Sequence, residues 1–466
     1  LCMNDFRLET LIHDPIHGYI PYTDRDPTAG STTERDLIES KWMQRMRYIH
    51  QLQTAWWVYP SAEHTRFQHC VGVMHLASRW VNRLFSSLKE ICPEVPSLGY
   101  VETLMRVSGL LHDVGHGPFG HFFDDHFLKP MGHTHESIGA AIIRGPLAEI
   151  IRGIRSNPNS QLSDDEQLDP EQVAWIIQRP TDSESQMPRW LEMLRSLLSG
   201  IYTIDNMDFV LRDAYMSGYS QKSYDMDRML RYSFFSENGL TIHERGIESL
   251  LRFMAARAEL FRNVYFHRKV RAIDLTLADL FPATIKRLFD CDPILNLDRY
   301  HGLTEQSLLV DVRRWANSED RELSKLGLAW CQLIDGRLNW EMAAQRTIVF
   351  KPGDSEDSSI FSEPSMVEQK IRQHFPSSLA DVPLRVDIAR QLLRPQQTAP
   401  VIAQNFIQNN TTGTIRALSS HELVNQLPVS HRICRVYSHG IEHAQEISAA
   451  LDAIISGSGG DDLTNM

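Results

Sequence analysis

The sequence predicts a mainly α-helical protein with a small C-terminal α+β lobe. Three observations carry this. Apolar residues recur at spacings of three and four from about Asp36 to Leu288. Short β-branched runs take over after about Glu341. The 466 residues, 42% hydrophobic and 23% charged, have ordinary globular composition and enough length for two or three domains, or for one large core with an attached lobe.

In chain order, "DLIESKWMQRMRYIHQL" (36–52) sets Ile38, Trp42, Met46, Ile49 and Leu52 on one helical face. "RFQHCVGVMHLASRWVNRLFSSL" (66–88) does the same with Phe67, Val71, Met74, Val81 and Phe85. A third helix, "VETLMRVSGLLHD" (101–113), runs into "GHGP", where Gly115 and Gly117 suit a helix end and Pro118 the first turn of the next helix. Polar connectors, "SNPNSQLSDDEQLDP" (156–170) and "RPTDSESQMP" (179–188), flank a short helix, "EQVAWIIQ". Helical pattern then resumes over 247–281. In the C-terminal part "RTIVF", "PLRVDIAR" and "HRICRVYS" read as strands separated by turn-rich segments such as "KPGDSEDSS" and "QNNTTGT". The expected organisation is a helical body over 1–340, an α+β lobe over 341–455 and a disordered tail, "SGSGGDDLTNM", over 456–466. No internal repeat is found.

A formal charge of −12 argues against a surface built for duplex DNA or anionic membrane, so nucleic acid is not an expected partner. It allows a local basic pocket, and any phosphate ligand would then be met in a cleft. The six cysteines are far apart and lack the spacing of a disulfide framework or thiolate zinc site. No apolar run approaches the roughly 18 to 20 residues of a membrane span. The opening "LCMNDFRLET" lacks a secretory profile, so the expected compartment is the cytoplasm.

The densest chemistry lies in "GLLHDVGHGPFGHFFDDHF" (109–127), four histidines and three aspartates in nineteen positions beside apolar core residues. Buried charge costs several kcal/mol per ion unless something binds it, about as much as a whole domain's margin of stability. Adjacent His112 and Asp113 can offer an imidazole nitrogen and a carboxylate oxygen to one ion, with His116 four residues on. Nitrogen and oxygen ligands without sulfur suit Fe, Mn, Mg or Zn. Further ligands must come from elsewhere. His69, three residues after Arg66, and Asp205 are available; taken alone, the first reads as a core or surface histidine and the second as a helix N-cap.

Taken in order, "HTRFQH", "HDVGHGPFGH" and the run from Asp205 to Asp213 resemble the HD-domain phosphohydrolases, in particular their deoxynucleoside triphosphate triphosphohydrolase branch. "HDPIHGYI" (13–20), "QRMRYIHQL" (44–52) and "NVYFHRKVR" (263–271) match the same branch, and the similarity spans roughly residues 10 to 290. The resemblance implies a helical HD core. It also implies a divalent metal held by His69, His112, Asp113 and Asp205, and attack of a metal-activated water, or of a nearby group, on the α-phosphorus of a nucleotide. The products implied are nucleoside and inorganic triphosphate. It further places His116 at the α-phosphate and His135 as a supporting histidine. His121, three residues from Asp124, then suits the general acid, because a carboxylate at that spacing can orient an imidazole and raise its pKa. Arg66 and Arg257 match phosphate contacts, Gln51 and Leu52 positions lining sugar and base, and Tyr265 an aromatic near the base.

The match departs at the sugar and phosphates. Asn206 replaces a basic residue facing the phosphates. Phe209 replaces a Tyr that reaches the 3′-OH, leaving Asp213 to hold the sugar alone and loosening discrimination among nucleotides. Gln44 and Arg47 fit the activator site of the animal members, but Thr10 stands where a Lys is expected and Glu39 where an Asp is expected. The same GTP activation is therefore not expected, although a nucleotide activator stays open as a partner. By analogy the protein is expected to be a homo-oligomer. Two other readings are kept: an HD-type phosphatase or phosphodiesterase on another phosphate ester, and a nucleotide-sensing or nucleic-acid-binding protein.

Overall fold

A computed structural model describes residues 9–25, 32–178, 187–200, 202–351, 354, 359–393 and 405–458. Most of the second expected connector, 179–186, and 459–466 of the expected tail lie outside them, while 456–458 are not disordered but end the helix Ala444–Ser458. By contacts the chain forms two interleaved units: Leu1–Leu260 with Ile285–Asp311 and Pro395–His421, and Phe261–Thr284 with Val312–Arg394 and Glu422–Met466.

The first unit opens with an antiparallel hairpin, β1 (Glu9–Asp14) and β2 (Gly18–Thr23), which the helical periodicity did not announce. Asp14 caps its turn by accepting from the backbone N–H groups of Ile16 and His17 at 2.9 Å each. The apolar stripe of 36–52 does not form one helix. Ser40 caps a second start, giving α1 (Glu34–Ile38) and α2 (Lys41–Arg45), and a tight turn over Met46–Tyr48 follows. Its core residues still point inward: Ile38, Trp42, Met46, Ile49 and Leu52 are all buried. A serine inside an apolar stripe can end one helix and cap another, because its hydroxyl satisfies a free backbone donor.

The core is built on α3 (Arg66–Ile91) packed along α4 (Leu98–Leu111). Phe67, Val71, Met74 and Val81 are buried, whereas Phe85 at the far end is only partly so. Buried Arg106 of α4 donates to both carboxylate oxygens of Glu34, at 2.5 and 2.8 Å, and to the Pro21 carbonyl. This one ion pair ties α1, the hairpin and α4 together.

After α4 the chain turns over 112–120. Pro118 lies in the turn rather than in the first turn of a helix, and Gly120 at φ +53° precedes α5 (His121–Phe123). A π-helical turn over Asp124–Leu128 and a 3-10 turn over Lys129–Met131 follow. Phe119, fully buried, holds φ +63°, a conformation that costs a non-glycine residue about 1–2 kcal/mol. Then come α6 (His135–Arg144), α7 (Ala148–Gly153), α8 (Pro170–Ile177, the expected short helix), α9 (Arg189–Arg195), α10 (Ile204–Met216) and α11 (Met226–Arg231). A second unannounced hairpin, β3 (Ser233–Ser236) and β4 (Gly239–His243), precedes α12 (Ile247–Leu260). The sheet is completed from far along the chain by β7 (Phe406–Gln408), parallel to β4, and β8 (Ile415–Ala417).

In the second unit the three expected strands pair. Strands β5 (Glu341–Phe350), β6 (Leu384–Leu392) and β9 (Ser430–Ser438) form an antiparallel sheet in the order β5-β9-β6. Val386, Cys434 and Val436 of that sheet pack with Val367 and Ile371 of the helix Pro364–Gln373 and with Ile447, Leu451 and Ile454 of the helix Ala444–Ser458.

Candidate metal centre and active site

Three chain segments deliver one cluster. The capping box of Thr65 and Gln68 starts α3, placing Arg66 and His69 in its first turns. His112 closes α4 with Asp113 in the following turn. Thr203, not Asp205, caps α10, which leaves the Asp205 carboxylate available.

His69 Nε2 lies 3.2 Å from His112 Nε2 and 3.1 Å from Asp205 Oδ1, and His112 Nε2 lies 3.7 Å from that oxygen. Asp113 adds an oxygen 3.5 Å from His112 Nε2 and another 3.9 Å from His69 Nε2. His69 is neither a surface group nor an apolar-core histidine; it is buried against carboxylates.

The tautomers decide what this cluster can bind. His112 Nδ1 donates to the Gly109 carbonyl at 2.8 Å, and His69 Nδ1 to Asp208 Oδ2 at 2.7 Å. Both Nε2 atoms therefore carry lone pairs that face each other and two carboxylates. Such an electron-rich focus needs positive charge. Without a cation, protons supply it. Burial alone would lower the pKa of His69, but Asp205 and Asp208 push it up to about 10; His112 rises too, with Asp113 overcoming burial. Burial would raise Asp205, yet His112 and His69 hold it well below the usual carboxylate range. The Nε2 atoms of His69 and His112 and the Asp205 oxygen lie close enough together to hold one divalent ion, with the Asp113 carboxylate alongside.

Beside it stands a histidine wall. Asp124 Oδ2 accepts from His135 Nδ1 at 2.6 Å and His121 Nδ1 at 3.2 Å. His116 stacks on His135 with ring centroids 3.8 Å apart. Its Nε2 is 3.3 Å from Asp113 Oδ1, but neither ring nitrogen makes a hydrogen bond. His116 and His135 are buried, whereas the His121 side chain is 64% exposed. Burial lowers the His135 pKa, with neighbouring His116 acting the same way.

The sequence matches the HD domain over residues 66–204. An uncharacterised Bacillus subtilis protein, YwfO, is 28% identical over 374 residues, covering 75% of this chain and 78% of its own. The deoxynucleoside triphosphate triphosphohydrolase SAMHD1 of Bos taurus is 29% identical over 297 residues, 58% of this chain and 47% of that protein. The chain carries an HD domain and is similar to phosphohydrolases over a larger part of its length. It spans about half the length of the triphosphohydrolases it matches. A crystal structure of a hypothetical protein from Aquifex aeolicus shares the fold, with TM-score 0.67 at 22% identity over 95% of this chain and 100% of that one.

Around the cluster, several residues take places that motif spacing did not reveal. Arg66 donates to Asp113 Oδ2 at 2.6 Å, so part of its guanidinium holds a carboxylate of the cluster. Gly120 makes room for it: a Cβ there would sit 2.4 Å from Arg66 Nη2. Buried Arg45 donates to the His116 carbonyl at 2.6 Å and stacks over Tyr300, whose hydroxyl donates to the Gly115 carbonyl. Together they clamp the turn that carries the histidines. Arg45 lies within the quoted "QRMRYIHQL" match, but Tyr300 carried no sequence signal.

The remaining expected residues are dispersed. The Gln51 side-chain oxygen is buried and without a hydrogen bond, and Leu52 is in the core. Asp213 is buried and bonded to His64 Nε2 at 2.7 Å. Phe209 is half-buried on α10, and the Asn206 amide donates to the Gly200 carbonyl at 3.0 Å. Arg257 is half-buried on α12. Tyr265 belongs to the second unit and packs edge-on against Phe261. Gln44 and Arg47 bond to each other and, with Tyr22, Glu39 and Phe67, line a cavity of about 680 Å³.

Proposed function

We propose that this protein hydrolyses (deoxy)nucleoside triphosphates to nucleoside and inorganic triphosphate. The observation that carries this reading is the 3.3 Å separation of His116 Nε2 from Asp113 Oδ1. It sets a wall of proton-carrying groups directly against a cluster suited to a cation. The names of the SAMHD1 relatives support the substrate class.

His69, His112, Asp113 and Asp205 would hold the divalent ion, with Fe, Mn, Mg and Zn all compatible with the donor set. When bound, such an ion acidifies water and offsets phosphate charge. The protein's own groups do the rest. His116, with no competing hydrogen bond, receives the α-phosphate. His121, open to solvent and oriented by Asp124, donates a proton to the departing 5′ oxygen as the Pα–O5′ bond breaks. His135 holds Asp124 from its buried side. The oxygen of water ends on the α-phosphorus, so the triphosphate leaves intact. The guanidinium groups of Arg66 and Arg257 suit the outer phosphates. The unpaired oxygen of Gln51, beside Leu52, suits a sugar or base donor. Phe209 offers no hydroxyl and Asp213 is engaged by His64, so sugar selection is expected to be loose. The same resemblance supports a homo-oligomer, which analytical ultracentrifugation would measure. No described helix is long and apolar enough to cross a membrane.

The test is incubation of metal-reconstituted protein with each dNTP and NTP, quantifying nucleoside and triphosphate. Orthophosphate or nucleoside monophosphate as product would move the assignment to a phosphatase or phosphodiesterase. No turnover with any of the four metals would end it.

A further inference from the structure

The "HDPIHGYI" turn has no part in the chemistry above, yet it reaches the metal cluster through a residue that is no ligand. Asp208, fully buried on α10, has each of its acceptor positions filled. Oδ1 accepts from His17 Nε2 at 2.6 Å and Arg212 Nη2 at 2.9 Å; Oδ2 accepts from His69 Nδ1 at 2.7 Å and Arg212 Nε at 2.8 Å. A carboxylate offers about four lone-pair directions, so nothing is left over for an ion. Arg212 reaches on to Asp14 Oδ2 at 2.8 Å, the same Asp14 that caps the β1–β2 turn and so aims His17 inward. Room for the arrangement comes from α3, where a Cβ on Gly72 would lie 2.1 Å from Asp208 Oδ1 and 2.4 Å from Arg212 Nη2.

We propose that Asp208 is the positioning residue of the metal centre, and that the N-terminal turn, through His17, and Arg212 hold it so that His69 keeps its proton on Nδ1 and turns Nε2 to the cation. The proposal rests on the reading of His69 as a ligand. Its physical basis is general: a carboxylate on the far nitrogen of a metal-bound imidazole fixes ring and tautomer, and losing it typically weakens metal binding about 10–100-fold.

The experiment titrates the chelator-treated protein with Mn²⁺, followed by the electron paramagnetic resonance of free Mn²⁺, alongside the melting temperature of the metal-free form. Asp208→Asn should weaken binding about 10–100-fold. His17→Phe, which removes one of four donors, and Gly72→Ala, which crowds the carboxylate without removing any group, should weaken it in the same direction by less. Should Asp208→Asn fail to fold, the other two decide. Parent-like Mn²⁺ affinity in both of them overturns the proposal, as does a loss of affinity no larger than the shift in metal-free stability explains. No nucleotide is used, so failure of the triphosphohydrolase assignment leaves this result readable, and the reverse holds too.

Discussion

Metal binding should strengthen steeply with pH well above the range in which an ordinary histidine titrates. In the metal-free protein His69 sits 3.1 Å from Asp205 and 2.7 Å from Asp208, and these carboxylates outweigh burial to bring its pKa to about 10. The ion needs the Nε2 lone pair, so binding must expel that proton. Each expelled proton gives a tenfold gain in affinity per pH unit, about 1.4 kcal/mol. Between about pH 7 and about pH 8.5 the gain is then about 2 kcal/mol, or roughly thirtyfold, for one proton. His112, whose pKa is also raised, adds to the slope in the same direction. A histidine of ordinary pKa, about 6.5, would change the affinity hardly at all over that interval. Calorimetric titration with Mn²⁺ in two buffers of different ionisation enthalpy measures both affinity and protons released. Flat affinity with no proton release above pH 7 would refute the electrostatic reading of the cluster. The metal-free protein carries the opposite sign. A His69 pKa raised on folding contributes stability that is complete below about pH 6.5 and is lost as pH climbs toward about 10.

Other consequences are separable. His121→Asn should lower kcat about 10²–10⁴-fold with Mn²⁺ affinity unchanged, since the side chain is open and is not one of the four proposed ligands; steady-state kinetics beside metal titration tests this. Arg106→Ala strands buried Glu34 and should cost about 3–5 kcal/mol in urea unfolding, with little change in the site of any protein that remains folded. Gly120→Ala combines an unfavourable φ of +53° with a Cβ 2.4 Å from Arg66 Nη2, so it should reduce activity more than it lowers the melting temperature.

Part of the candidate site was visible in the sequence at local spacings that backbone geometry converts directly into directions, whereas His69 and Asp205 were joined to it only through the resemblance. His112 and Asp113 share one turn, and Arg66 and His69 share a helix face. Helical stripes found the core for the same reason: Trp42, Met46 and Ile49 are buried even though Ser40 breaks the helix they were read from. The strand over 430–438 was legible as a β-branched run, but its position between β5 and β6 was not.

The amino-acid order was enough for the helical class, the motifs that carry the proposed ligands, and the positions of Asn206 and Phe209. Tertiary structure alone decided what completes those motifs. Asp208 becomes a hub only when His17, 191 residues earlier in the chain, meets it, and Arg45 and Tyr300 clamp the histidine turn across separations of 71 and 185 residues. The β3–β4 hairpin gains its parallel partner β7 from more than 160 residues away. Periodicity reports which side of an element faces the core, because that depends on neighbours three or four residues distant. A buried carboxylate's partners depend on which elements pack together, and no local repeat encodes that.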